Sequence, residues 1–202
     1  RLLRMSSVDV IVPCYRYGHF LRECVGSVLA QIGPSVRVLI IDDASPDHSA
    51  EVAADLARED SRVSFVRHST NKGHIATYNE GIEWAAADYL LLLSADDYLV
   101  PGALDRAAAF LDDRPEVGFV FGSAVEMSDD GSLVELIPVT DQLQQSERLV
   151  LTGQQFLEIG KCRNIVPTPT AIVRTMLQKC VGGYRPQLPH AGDMEMWWRF
   201  AA

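Results

Sequence analysis

The feature that most constrains this chain is a series of short, nearly apolar segments separated by stretches of helical period. Val8-Asp9-Val10-Ile11-Val12, Val36 to Ile41, Val63 to Val66 and Asp88 to Leu93 are strand-sized and rich in aliphatic residues. A strand wet on one face alternates apolar with polar side chains. Val36–Ile41 does not, which marks a parallel strand covered on both faces. Between these runs, His19 to Gln31 carries Phe20, Leu21, Cys24, Val25, Val28 and Leu29 at helical spacing. Ser49 to Glu59, Gly73 to Ala87 and Pro101 to Asp112 read as further helices, the last with proline at its first turn. Strands alternating with helices at this spacing give right-handed crossovers, and so an α/β sandwich around a mostly parallel sheet.

After Pro115 the pattern changes. Val117 to Met127 and Leu133 to Ile137 flank Ser128-Asp129-Asp130-Gly131, a hairpin signal with Asp-Gly at the turn. Thr152 to Ile159 reads as a short helix, Thr168 to Cys180 as an apolar segment, and a last helix begins near Asp193. Gln142 to Glu147 is a polar connection. The chain starts on Arg1 and stops at Ala202 within a helical stretch, as a piece of a longer protein would.

Composition removes several function classes. The 202 residues hold 48% hydrophobic and 22% charged side chains, an ordinary globular balance that excludes disorder. The 18 Lys+Arg against 27 Asp+Glu leave a net charge of −9, which argues against a nucleic-acid-binding domain. Cys14, Cys24, Cys162 and Cys180 form no CxxC pair, so neither structural zinc nor a disulfide framework is expected, and the thiols read as small buried groups. No apolar run approaches the roughly 20 residues of a membrane span. A cytoplasmic protein is therefore expected, with any attachment to the inner face of the membrane left to parts outside this chain.

The acidic residues are not scattered evenly. In open α/β sheets ligands bind beyond the carboxyl ends of the strands. Asp42-Asp43 follows one expected strand directly, and Asp96-Asp97 follows another after Ser94-Ala95. Adjacent carboxylates in a crevice repel unless a cation or donor groups offset them. Oxygen-only ligands suit Mg²⁺ or Mn²⁺, which typically link one or two carboxylates to substrate phosphates. Strand-end aspartates also serve as helix caps and turn residues, a reading that stays open for Asp43 and Asp47. No GxGxxG and no GxxxxGK[ST] loop is present to cradle phosphates instead. Tyr15, in the turn after the first strand, can stack on a flat base or stand as a plain surface residue.

Five segments together resemble the family 2 glycosyltransferases of GT-A fold. They are VDVIVPCYRYGHFLRECVGSVLAQ (8–31), IIDDASPD (40–47), NKGHIATYNEGI (71–82), YLLLLSADDYLVPGAL (89–104) and GGYRPQLPHAGDMEMWWRFA (182–201). The resemblance implies one GT-A domain over residues 1–202, a Rossmann-like α/β/α sandwich. Its nucleotide-binding half would cover about residues 8–122, and its acceptor-side half, cut short at the C-terminus, about 123–202. Pro13 and Tyr15 would line the nucleobase pocket, Asp42 would hydrogen-bond the base, typically uracil, and Asp96 would face the ribose. Asp97 would hold Mn²⁺ or Mg²⁺ on the diphosphate of a nucleotide-sugar donor, and Asp193 would be the base of an inverting transfer. The acceptor would be a hydroxyl of a glycan, a lipid-linked molecule or a protein.

This sequence departs from the family pattern at three places. Ser94 stands where an acidic residue commonly precedes the Asp pair, Tyr78 where Arg often precedes Asn79, and Gly192 where Glu commonly precedes the base. No QxxRW follows, which argues against a processive synthase. Trp197, one helical turn past Asp193, is placed either as an acceptor wall or as core packing. A nucleotide-sugar-binding module without turnover and a phosphoryl-transfer α/β domain are the competing function classes.

Overall fold

The computed structural model describes residues 5–128, 132–137, 148–161 and 163–202. Asp129–Gly131 of the hairpin turn, the Gln142–Glu147 connection and Cys162 therefore lie outside the described residues. The elements run β1 (Ser7–Cys14), α1 (Leu21–Leu29), β2 (Ser35–Asp42), α2 (Ser49–Glu59), β3 (Val63–Arg67), α3 (His74–Trp84), β4 (Tyr89–Leu92) and α4 (Ala103–Asp113). They continue as β5 (Phe119–Val120), β6 (Ala124–Met127), β7 (Leu133–Ile137), α5 (Gly153–Gly160), a 3₁₀ turn (Thr168–Thr170), β8 (Ile172–Arg174), α6 (Thr175–Val181) and α7 (Gly192–Ala201).

The main sheet has the order β3-β2-β1-β4-β8-β5. The first four strands are parallel, and β8 runs antiparallel between β4 and β5. The mostly parallel sheet is as expected. The antiparallel β8 lies inside the segment 168–180, whose pattern gave no direction. The expected first hairpin arm, Val117–Met127, is divided. Phe119–Val120 joins the main sheet, while Ala124–Met127 pairs with β7 in a separate two-stranded ribbon. The helix expected from His19 begins at Leu21, after a turn in which Phe20 N bonds to Tyr17 O.

Strand alternation sorts the core into two layers. Val10, Val12, Val38, Ile40 and Leu91 point to one face, where Leu21, Val25 and Val28 of α1, Ala53 of α2 and Leu104 of α4 cover them. Ile11, Leu39, Ile41, Leu90 and Leu92 point to the other, beneath Ile75 and Ile82 of α3 and Met196 and Trp197 of α7. Gly81 lets α3 approach β1, because a Cβ there would collide with the Ile11 side chain.

One strand residue is not apolar, and its partners explain it. Asp9 is fully buried in β1. Its carboxylate accepts Arg37 Nε at 2.8 Å and Nη2 at 2.7 Å, and the backbone N–H groups of Ala86 and Ala87 at 2.7 and 2.8 Å. It thus fixes the link from α3 into β4, and Arg37 lies over the Trp84 ring at 4.8 Å. Asp9→Ala removes the acceptor of Arg37 and of two part-buried N–H groups and is expected to cost about 3 kcal/mol, the lower end for a broken buried pair because the Arg37 side chain is 53% exposed. Chemical denaturation measures this, and a loss below about 0.5 kcal/mol would show that the anchor is dispensable.

Candidate active site

From β1 the sheet grows outward in both directions, with β2 and β3 on one side and β4 on the other. That switch in strand order falls between β1 and β4, and in open α/β sheets ligands bind beyond the carboxyl ends of the strands at such a point. The two Asp pairs border it.

At the end of β2, Asp42 is fully buried. Its Oδ1 accepts Ser45 N at 3.3 Å. Its Oδ2 faces Arg67 Nε at 3.2 Å in an ion pair, but the angle makes no hydrogen bond, and no other donor among the described residues reaches that oxygen. Pro13 is half-buried beside it in the β1–β2 register, and Tyr15 is 43% exposed. The two strand ends are held in an unusual backbone. Arg16 and Ala44 adopt positive φ of 67° and 59°, and Arg16 N donates to Ser45 Oγ at 3.0 Å. Non-glycine residues in that region persist only where their surroundings enforce it, most often at functional sites.

Asp43 and Asp47 prove to be organisers of loops. Asp43 accepts His68 Nδ1 and Lys72 N at 2.7 Å each and Gly73 N at 2.8 Å. Burial pushes its carboxyl up, but His68 and the two N–H groups more than offset this and hold it below the usual range. Asp47 accepts the backbone N–H and hydroxyl of Ser49 at the start of α2. The open alternative of cap and turn roles describes both.

At the end of β4, Asp97 N bonds to Ser94 O at 2.9 Å, and this turn presents both carboxylates. Helix α1 supports the loop that follows. Ser27 Oγ accepts Leu99 N, and Gln31 bonds to Val100 O and Leu104 N. Asp96 is exposed and Asp97 half-buried. Burial, and then the Asp96 charge, push the Asp97 carboxyl from the usual 3.8 up to about 6. Among the described residues no group of three or more His, Cys, Asp or Glu side chains could hold a metal. An ion here would rest on this pair and on oxygens of its substrate, the arrangement in which Mg²⁺ keeps few protein ligands.

Asp193 opens α7, with its Oδ2 accepting Thr168 Oγ1 at 3.0 Å. The segment before it is tied to α3. Asn79 donates to Tyr184 O at 2.9 Å and accepts Tyr184 N at 2.7 Å, while Arg199 donates to Val181 O and Gly183 O at 2.8 Å each. This clamp explains why segments 71–82 and 182–201 occur together. Tyr78, where the resemblance expects Arg, packs edge-on against Tyr184 at 5.3 Å. Its phenol is raised above the usual 10, first by burial and then by the Asp193, Asp96 and Asp97 carboxylates, against the pull of a Ser94 hydrogen bond. The charges of Asp96, Asp97 and Asp193 thus all bear on one tyrosine.

Other expectations resolve by packing. Trp197 is 4% exposed and stacks on Phe119 at 5.7 Å, so it is core. His190 is exposed, and His74 bonds to Pro189 O at 2.9 Å. Cys14 and Cys24 are buried free thiols, whereas Cys180 is exposed. Sequence reading did not single out Thr168, Arg67 or His68. Each lies in an ordinary-looking stretch, and only a partner distant in the chain gives it a part in the site.

The family model described as Glycosyl transferase family 2 matches residues 9–180, and the chain belongs to that family. It is 28% identical over 200 residues to the uncharacterized protein MT1568 of Mycobacterium tuberculosis, covering 95% of this chain and 61% of that protein. It is 33% identical over 99 residues to the uncharacterized glycosyltransferase EpsJ of Bacillus subtilis, covering 49% of this chain and 28% of the relative. The chain therefore spans less than two thirds of the length of these relatives. Its fold is similar to that of S. aureus TarS 1-349 in complex with UDP-GlcNAc, with TM-score 0.76, 20% identity, and coverage of 96% of this chain and 53% of that one. It is also similar to mannosyltransferase PcManGT of Pyrobaculum calidifontis in complex with GDP-Man and Mn²⁺, with TM-score 0.68, 18% identity, and coverage of 96% and 51%. At such identities the likeness speaks to fold.

Proposed function

We propose that this chain carries the donor site and the base of an inverting transferase that moves a sugar from a nucleoside diphosphate, foremost UDP, to an acceptor hydroxyl. What supports the reading is that Asp96 and Asp97 follow β4 at the carboxyl edge of the sheet, and that their charges and that of Asp193 all raise the Tyr78 phenol. Asp42 would take the base, since its buried Oδ2 can accept an imide N–H. Pro13 and Tyr15 would frame the base, and Asp96 would meet the ribose. Asp97 would hold Mn²⁺ or Mg²⁺, and the cation supplies neutralisation of charge on the leaving diphosphate. Asp193 would take the acceptor proton as the hydroxyl attacks the anomeric carbon from the face opposite the nucleotide, which inverts that centre. Glycan, lipid-linked and protein hydroxyls all fit this chemistry. No helix among the described residues is long and apolar enough to cross a membrane.

The reading is tested with a panel of UDP-, GDP- and dTDP-sugars with Mn²⁺, scored by release of free nucleoside diphosphate. A UDP-sugar is expected to lead the panel. Tight UDP binding with no release from any donor would identify a binding module without turnover.

A further inference from the structure

Asp193 is half-buried, and the groups around it come from four places in the fold. The 3₁₀ turn supplies Thr168, whose Oγ1 donates to Asp193 Oδ2 at 3.0 Å across 25 residues of sequence. The segment before α7 supplies Tyr184, 3% exposed, whose phenol is raised first by burial and then by the Asp193 charge. Helix α3 supplies Tyr78, which the Asp96 and Asp97 charges also reach. On α7 itself the nearest charge is Glu195, which Arg185 and Arg199 hold at 3.1 and 2.8 Å.

The Tyr184 ring has little freedom. Asn79 grips its backbone on both sides, Tyr78 packs against it, and residue 192 is glycine. A Cβ at 192 would stand 3.1 Å from Tyr184 Cδ1 and 3.4 Å from Ile75 Cδ1. The ring therefore occupies the space that a side chain at 192 would enter. The departure at Gly192 and the buried Tyr184 are one packing solution. Its chemical consequence is that no side chain enters beside Asp193 from position 192, while the Thr168 hydroxyl faces the carboxylate.

We propose that Thr168 and Tyr184 are positioning residues for Asp193, their hydroxyls fixing the orientation of its carboxylate toward the acceptor side of the crevice. This rests on the reading of Asp193 as the base. A hydroxyl that donates to a carboxylate favours the ionised form, whereas a neighbouring glutamate would oppose it. Tyr184 remains a donor throughout, because burial first, and then Asp193 and Tyr78, raise its phenol well above the usual 10.

The test is a carboxyl ¹³C NMR titration of the full chain, with the Asp193 signal assigned by its loss in Asp193→Asn. Thr168→Val is expected to raise the Asp193 midpoint by roughly one pH unit, because a hydrogen bond to a charged group is worth about that much. Tyr184→Phe keeps the ring and should raise it by less, while Thr168→Ser should restore the parent value. The acidic limb of kcat against pH should move up with the NMR midpoint. A merely structural role would lower Tm and leave the midpoint in place. An unchanged midpoint in both Thr168→Val and Tyr184→Phe overturns the proposal. Unchanged turnover in Asp193→Asn would instead sink the base assignment, with the hydroxyl contacts still standing, so the two failures are distinct.

Discussion

Asp193→Asn is expected to lower the turnover of the preferred donor and acceptor by about 10³-fold, within the range that a general base contributes. The substitution is nearly isosteric, and the amide oxygen can still accept from Thr168. Tm and the affinity for UDP should therefore stay close to the parent values. That combination separates a chemical role from a structural one, since a base acts only in the transfer step. Measurement of kcat, Tm and UDP affinity on the same preparations decides it. Turnover within a factor of three of the parent would remove Asp193 from the reaction.

The second large effect is expected at Asp97, and its sign is unusual. The folded carboxyl sits at about 6, above the usual 3.8, because burial and Asp96 disfavour its charge. A raised carboxyl binds more protons folded than unfolded between these values, so its ionisation destabilises the fold as pH rises through that window. The cost is complete above about pH 6 and absent below about pH 4. Asp97→Asn is therefore expected to be more stable than the parent at pH 7 by roughly 1–2 kcal/mol, a figure reduced for partial solvent screening. It should at the same time lose the extra thermal shift that Mn²⁺ gives to UDP. In the parent, that Mn²⁺-dependent shift should fade as pH drops from 7 to 5 and the carboxyl takes up its proton. Melts with UDP and Mn²⁺, and with UDP and EDTA, across this pH range provide the check. Equal shifts with Mn²⁺ and EDTA at pH 7 would take the cation away from Asp97.

Much of the fold was legible because its signals are local. β2 from Val38 to Ile41 and β4 along its length are apolar, since both faces of the parallel sheet are covered there, and the helices beside them show their buried stripes directly. The exceptions share one cause. β8 is a three-residue strand, too short for its alternation to declare a direction, and its antiparallel seat depends on β4 and β5 on either side. Phe119–Val120 separates from the ribbon for the same reason, since pairing with β8 and not its own pattern decides its sheet. Asp9 stands alone as a charge in an apolar strand, and only Arg37, Ala86 and Ala87 make it an anchor.

The site divides in the same way. By itself the sequence determined the sheet, its helical layers, and the placing of Asp42, Asp43, Asp96 and Asp97 at strand ends, because strand termini and residue types are short-range properties. The resemblance to family 2 glycosyltransferases marked Tyr78 and Gly192 as departures. Only the tertiary structure decided which aspartates organise loops and which face the crevice, since that depends on donors such as His68 and Gly73 arriving from elsewhere. It likewise decided that Gly192 makes room for Tyr184, and that Thr168 reaches Asp193. Packing volume and hydrogen-bond partners are set by residues brought together across the chain, and no local pattern carries them.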